Sequence, residues 1–175
     1  NIVWYDAEGK IHKVTDFADK NIVCGQAVSR HEFGIDGGLF SSPDNTMVAF
    51  YQKDESKVTT FPLLDITSRT GSLVEIKYPM NGMASERVSV GVYDASTQKV
   101  VYLNVTDFDE ERYLTNLSWA PDSKSIYVQV LNRAQKEMHL NAYCAKTGTF
   151  IKSLLTENND RWVEPQNPIR FIDDD

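Results

Sequence analysis

Basic residues are scarce in this chain. Lys and Arg total 18 against 25 Asp and Glu, giving a formal net charge of -7 over 175 residues. Nucleic acid as a partner is excluded, because phosphate contacts need clustered cations. No apolar run is long enough to span a bilayer as a helix. No leader sequence is visible, and the chain starts at Asn1 without Met, so it reads as an internal piece of a longer protein. The missing leader therefore says nothing about the compartment of the parent. There are two cysteines, Cys24 and Cys144. They form no Cys-x-x-Cys pair and no zinc spacing, so neither a metal nor another cofactor is expected. A disulfide between them stays open but unsupported; isolated thiols also serve as small apolar residues. There are three histidines, His12, His31 and His139, and no Gly-x-Ser-x-Gly elbow, so no catalytic triad is expected within this chain. His12 and His139 fall in expected strands, as solvent-facing or packing residues.

What is present is repetition. Hydrophobic residues make up 41% and aromatic residues 11% of the chain, enough for one globular domain with a sizeable core. Leu39-Phe40-Ser41-Ser42-Pro43-Asp44 runs into Met47-Val48-Ala49-Phe50. Leu117-Ser118-Trp119-Ala120-Pro121-Asp122 runs in the same way into Ile126-Tyr127-Val128. Each reads as a strand, a tight Pro-Asp turn and a second strand, because Pro presets φ and Asp bonds the backbone beyond it. Tyr5-Asp6-Ala7, Tyr93-Asp94-Ala95 and Tyr143-Cys144-Ala145 echo one another, each closing one strand before another opens. A Pro-Asp hairpin followed by a Tyr-x-Ala hairpin occurs twice, the mark of four-stranded propeller blades.

The expected fold is all-β: a partial β-propeller with two complete four-stranded antiparallel blades and a partial blade on each side. Residues 1–37 form a partial blade and an irregular loop. Residues 38–104 form a blade with a long insertion at 53–87, residues 105–157 a second blade, and 158–175 the start of a further one. Within the last span, Trp162 to Ile172 reads as an opening strand and Asp173-Asp174-Asp175 as a turn. Such a piece leaves strand edges unpaired, which predicts self-association in isolation. A connection as long as 53–87 is often an interaction arm, although a solvated hairpin without a role is equally compatible. Trp4, Trp119 and Trp162 read as sheet packing, leaving little behind a glycan-binding propeller.

One segment has a functional look. Ser29-Arg30-His31-Glu32-Phe33-Gly34-Ile35 sets a carboxylate beside an aromatic residue on a glycine-flanked loop, an arrangement suited to a cation. On spacing alone, an ordinary solvated glutamate fits as well. Arg133, in the polar turn before Met138, reads either as a turn residue or as a brace for neighbouring carbonyls.

The ordered set Gln26 to Ile35, Ala49-Phe50-Tyr51-Gln52-Lys53-Asp54-Glu55-Ser56, Tyr78-Pro79-Met80-Asn81-Gly82, Leu131-Asn132-Arg133-Ala134-Gln135 and Val163-Glu164-Pro165 resembles the propeller domain of bacterial dipeptidyl peptidase IV and prolyl tripeptidyl peptidase, in the prolyl oligopeptidase family. The resemblance spans residues 21–172. It implies a proline-specific serine exopeptidase whose triad lies in a following α/β-hydrolase domain of the same parent chain. It also implies a periplasmic, secreted or cell-surface location, a peptide substrate with a free amino terminus, and a propeller that gates access. Glu32 is similar to the second of two amine-binding glutamates of the dipeptidyl enzymes. His31 stands where the first would be, which leaves dipeptidyl or tripeptidyl cleavage open. Phe33 would lie beside the substrate path, and the 53–87 insertion matches an arm that contacts a second copy. The rival reading is a non-enzymatic propeller scaffold for protein–protein interaction.

Overall fold

The computed structural model describes residues 1–108 and 111–172. The expected turn at Asp173–Asp175 lies outside the described residues.

The chain begins with a hairpin of β1 (Val3–Tyr5) and β2 (Ile11–Lys13), followed by β3 (Ile22–Cys24) and a 3-10-type turn at Ser29–Gly34. The first large sheet contains β4 (Leu39–Ser41), β5 (Met47–Asp54), β8 (Arg87–Asp94) and β9 (Lys99–Tyr102). Between β5 and β8, strands β6 (Thr60–Asp65) and β7 (Ser72–Lys77) pair only with each other, as an arm. The second large sheet is a four-stranded meander: β10 (Tyr113–Trp119), β11 (Ser125–Leu131), β12 (Glu137–Cys144) and β13 (Phe150–Asn158). Every pairing is antiparallel. The result is the expected partial propeller.

The repeated turns are one physical device. Asn45 N–H donates to Ser42 O at 2.9 Å and Ser123 N–H to Ala120 O at 3.0 Å. Asn45 and Ser123 both take left-handed φ, 57° and 60°. Asp44 Oδ1 accepts from the Ser42 hydroxyl at 2.6 Å and from Thr46 N–H at 3.1 Å. Led by the Ser42 bond, these contacts hold the Asp44 carboxyl down to about 2. The Tyr-x-Ala hairpins close likewise, with Gln98 N–H on Asp94 O and Gly148 N–H on Cys144 O, both at 2.8 Å.

Strand alternation places the core. Ala49 and Tyr51 of β5 face the second sheet, with Val90 and Val92 opposite Val128, Val130 and Tyr143. Phe50 and Tyr93 face the other way, toward Trp4, Val14 and Ile2 of the first hairpin. Blades therefore stack face to face. Two polar bonds tie their rims: Trp119 Nε1 donates to Phe40 O at 2.9 Å, and Asp44 N–H to Ser123 Oγ at 3.2 Å.

Three details differ from the expectation. The first sheet has five strands, because β3, from within residues 1–37, pairs with the end of β5 beyond the reach of β4. The insertion is shorter at both ends, because Lys53 and Asp54 stay paired with Val88 and Arg87. Residues Trp162 to Ile172 form no strand among the described residues. Pro165 and Pro168 interrupt the ladder there, since proline lacks a donor. The Pro165 and Asn167 carbonyls instead accept from the Asn116 and Gln129 side chains at 3.2 and 3.0 Å.

Candidate functional site

The 29–34 turn has an unusual backbone. Ser29, Arg30, His31, Phe33 and Gly34 all have positive φ, between 49° and 71°, whereas Glu32 is extended at φ -66°, ψ 166°. Non-glycine residues are costly in this region and persist where their surroundings fix them. Here the surroundings are close. A Cβ on Gly34 would meet Gln166 O at 2.2 Å. Phe33 is buried with Leu131, Met138 and Val163, its ring centroid 4.9 Å from that of Tyr113.

The break at Glu32 sends neighbouring side chains apart. Glu32 lines a cavity of about 630 Å³ walled by this turn, the return of the arm (Pro79 to Val88), the start of β10, Arg133 and Glu164. His31 lines a different cavity of about 510 Å³ with Lys53, Glu55, Lys77 and Asp36. The two residues at the expected amine-binding positions therefore do not share a pocket. Phe33 contributes to the wall of Glu32's cavity while the rest of it is core.

Three arginines and four glutamates line the larger cavity. The arginines are engaged. Arg30 donates to Lys77 O at 2.8 Å and sits 3.9 Å over the Tyr78 ring. Arg112 donates to Asp107 O and Val105 O at 2.6 and 2.7 Å. Arg133 reaches Ser85 Oγ at 3.0 Å, the Tyr113 hydroxyl, and Glu111 at 3.6 Å. Arg133 thus braces side chains, whereas Arg30 and Arg112 brace carbonyls. Three glutamates are engaged as well. Glu86 accepts from Ser29 N–H at 2.8 Å, Glu111 from Ser85 N–H at 3.1 Å, and Glu164 from the Gln166 amide at 2.9 Å. Glu32 is exposed and belongs to none of the ion pairs among the described residues. Of the four wall glutamates, Glu32 is the one whose side chain has no hydrogen bond or ion pair among the described residues, so its carboxylate is the one free to take an entering cation.

Sequence reasoning missed Glu86, Glu111, Tyr113 and the stacked Arg30. They come from three separate stretches and carry no local pattern. Outside the cavity, His139 bridges two carboxylates, with Nδ1 2.6 Å from Asp107 and Nε2 3.0 Å from Glu137. Burial alone would lower its pKa, but these two partners raise it. His12 Nε2 meets Asp6 at 2.7 Å. Cys24 and Cys144 are free thiols. Among the described residues no three His, Cys, Asp or Glu side chains converge as a metal site would require.

Stacked antiparallel blades, with a long arm and a charged cleft beside it, define a partial β-propeller. The chain belongs to the dipeptidyl peptidase IV (DPP IV) N-terminal region family, whose model matches residues 2–175. A Bacteroides ovatus structure described as a dipeptidyl aminopeptidase IV is 44% identical, with a TM-score of 0.87 over 99% of this chain and 26% of its own. Porphyromonas gingivalis dipeptidyl peptidase 4 shares the fold at 22% identity, with a TM-score of 0.80 over 90% of this chain and 23% of its own. A protein of Neosartorya fischeri described as dipeptidyl-aminopeptidase B is 28% identical over 148 residues, 75% of this chain. The chain spans 16% of that relative's length.

Proposed function

We propose that this chain is the non-catalytic propeller part of a proline-specific serine exopeptidase, and that it gates the substrate's path and holds its amino terminus at Glu32. The observation that carries the reading is the one wall glutamate whose side chain has neither a hydrogen bond nor an ion pair among the described residues, on a turn held by contacts from outside it, at the wall of a cavity of about 630 Å³. A free α-amino group has a pKa of about 8 and is largely cationic at neutral pH. A charge-assisted hydrogen bond to a carboxylate contributes roughly 1.5–3 kcal/mol, with the upper part needing a dry site. Set at a fixed distance from the nucleophile of the following hydrolase domain, Glu32 acts as a ruler: only a peptide whose amine reaches it presents the right bond. With His31 in another cavity, a single carboxylate does the measuring, and whether two or three residues are released is set by that distance.

The parent is read as periplasmic, secreted or cell-surface on the family resemblance alone. The arm is read as the contact with a second copy. Leu64, Ile66 and Leu73 near its tip are 67%, 80% and 75% exposed, an apolar surface that a partner would cover.

The test is Glu32→Ala in the full-length parent. With a free-amine Xaa-Pro substrate, kcat/KM should fall by roughly tenfold to a hundredfold, the range for one charge-assisted hydrogen bond. Wild-type kinetics would remove Glu32 from this role.

A further inference from the structure

Two backbone bonds close the ends of the Ser29–Gly34 turn, His31 N–H to Val28 O and Ile35 N–H to Glu32 O, each at 3.1 Å. Its five left-handed residues remain costly, because each non-glycine among them favours the right-handed or extended region. Two further restraints come from the root of the insertion. Glu86 Oε1, one residue before β8, accepts from Ser29 N–H at 2.8 Å. Lys77, the last residue of β7, offers its carbonyl to Arg30 at 2.8 Å, and Tyr78 offers its ring face at 3.9 Å. The root itself is anchored: Lys77 Nζ donates to Val58 O at 3.1 Å, and Ser85 N–H donates to Glu111 at 3.1 Å. Both grips act on the two residues that start the left-handed run, immediately ahead of His31 and Glu32. Arg30 is exposed and Ser29 half-buried, so these contacts hold geometry and add little core.

We propose that Arg30 and Glu86 are positioning residues for Glu32. The root of the arm fixes the turn so that the Glu32 carboxylate faces the larger cavity, and capture of the substrate amine depends on that grip. Without the Glu86 acceptor, Ser29 relaxes, the left-handed run unwinds from its first residue, and Glu32 loses its fixed direction. The inference rests on the amine-binding reading above, and its test separates the two.

The experiment uses the full-length parent enzyme and a free-amine Xaa-Pro p-nitroanilide. The variants are Glu86→Ala, Glu86→Gln, Arg30→Lys, Glu32→Gln and the double variant Glu32→Gln/Glu86→Ala. Labelling of the nucleophilic serine by a small fluorophosphonate, which needs no amine contact, serves as the check on the intact catalytic centre. Glu86→Ala and Arg30→Lys should each raise KM about tenfold with labelling unchanged, the size expected for one charge-assisted bond. Glu86→Gln keeps an acceptor oxygen and should stay within about threefold of wild type, since the backbone bond survives as a neutral one. The double variant should be no worse than Glu32→Gln alone, because Glu86 acts through Glu32. Wild-type KM in Glu86→Ala beside an impaired Glu32→Gln would overturn this inference alone, as would additive losses in the double variant or a Glu86→Gln as impaired as Glu86→Ala. Wild-type kinetics in Glu32→Gln would overturn the amine reading beneath it. Should Glu86→Ala fail to fold, Arg30→Lys decides by the same criteria.

Discussion

Replacing Gly34 by alanine tests the close approach that seats the candidate turn. Two costs arise. Gly34 has φ +71°, where a Cβ is disfavoured by about 1–2 kcal/mol. The new methyl would also stand 2.2 Å from Gln166 O, a backbone atom that no rotamer change can move. Segment 163–167 cannot yield freely, because it is tied by Val163 N–H to Gln135 O at 2.6 Å and by the Asn116 and Gln129 amides. Overpacking of this kind typically adds about 1–3 kcal/mol, for a total of roughly 2–5 kcal/mol. Two other glycines calibrate the result. Gly9 has φ +80° with nothing within 4 Å, so Gly9→Ala should show the backbone cost alone. Gly148 has φ +71° with Tyr102 O at 2.0 Å, so Gly148→Ala should match Gly34→Ala in stability. The assay is the urea midpoint of the parent's propeller by tryptophan fluorescence, beside KM on a free-amine substrate. Only Gly34→Ala should also raise KM. A Gly34→Ala variant no less stable than Gly9→Ala would refute the reasoning.

Trp119→Phe removes the indole bond to Phe40 O that ties two blades, and should cost about 1 kcal/mol plus lost area; an unchanged urea midpoint would deny the tie. The Asp107–His139–Glu137 cluster predicts a pH window. His139 is raised above its ordinary 6.5, so its contribution is complete below that value and is lost as pH rises through the raised one. For Asp107, burial works upward, but the bonds from His139 and Asn141 outweigh it and leave the carboxyl lowered from 3.8. Its contribution is complete above that value and is lost on acidification through the lowered one. The destabilisation by His139→Gln should therefore be larger at pH 5.5 than at pH 8.5 in urea titrations, and a pH-independent penalty would count against the cluster. Leu64→Lys with Leu73→Lys at the arm's tip should shift a dimeric parent toward monomer in sedimentation, with little loss of stability, since both residues are exposed. An unchanged mass would rule out the arm as the contact.

Much of the fold was legible because it is built from local chemistry. The two Pro-Asp turns announce themselves, and the structure gives them matching bonds and matching left-handed residues at Asn45 and Ser123. Alternation in Met47 to Tyr51 and Val90 to Tyr93 reports two buried faces, as strands inside a stack of blades require. The site was legible only as a glycine-flanked acidic loop. Nothing local says that β3 extends a sheet it precedes by a loop, because that pairing depends on how far β5 outruns β4. Nor does a local signal mark Trp162 to Ile172 as irregular chain whose carbonyls serve Asn116 and Gln129.

By itself the amino-acid order determined the blades, since turn residues and a two-residue period act over a handful of positions. Tertiary structure decided the site. Glu86 and Gln166 lie more than fifty and one hundred residues from the turn they hold, and the left-handed run exists only where such distant contacts outweigh its intrinsic cost. That same run turns Glu32 and His31, adjacent in the chain, toward different cavities.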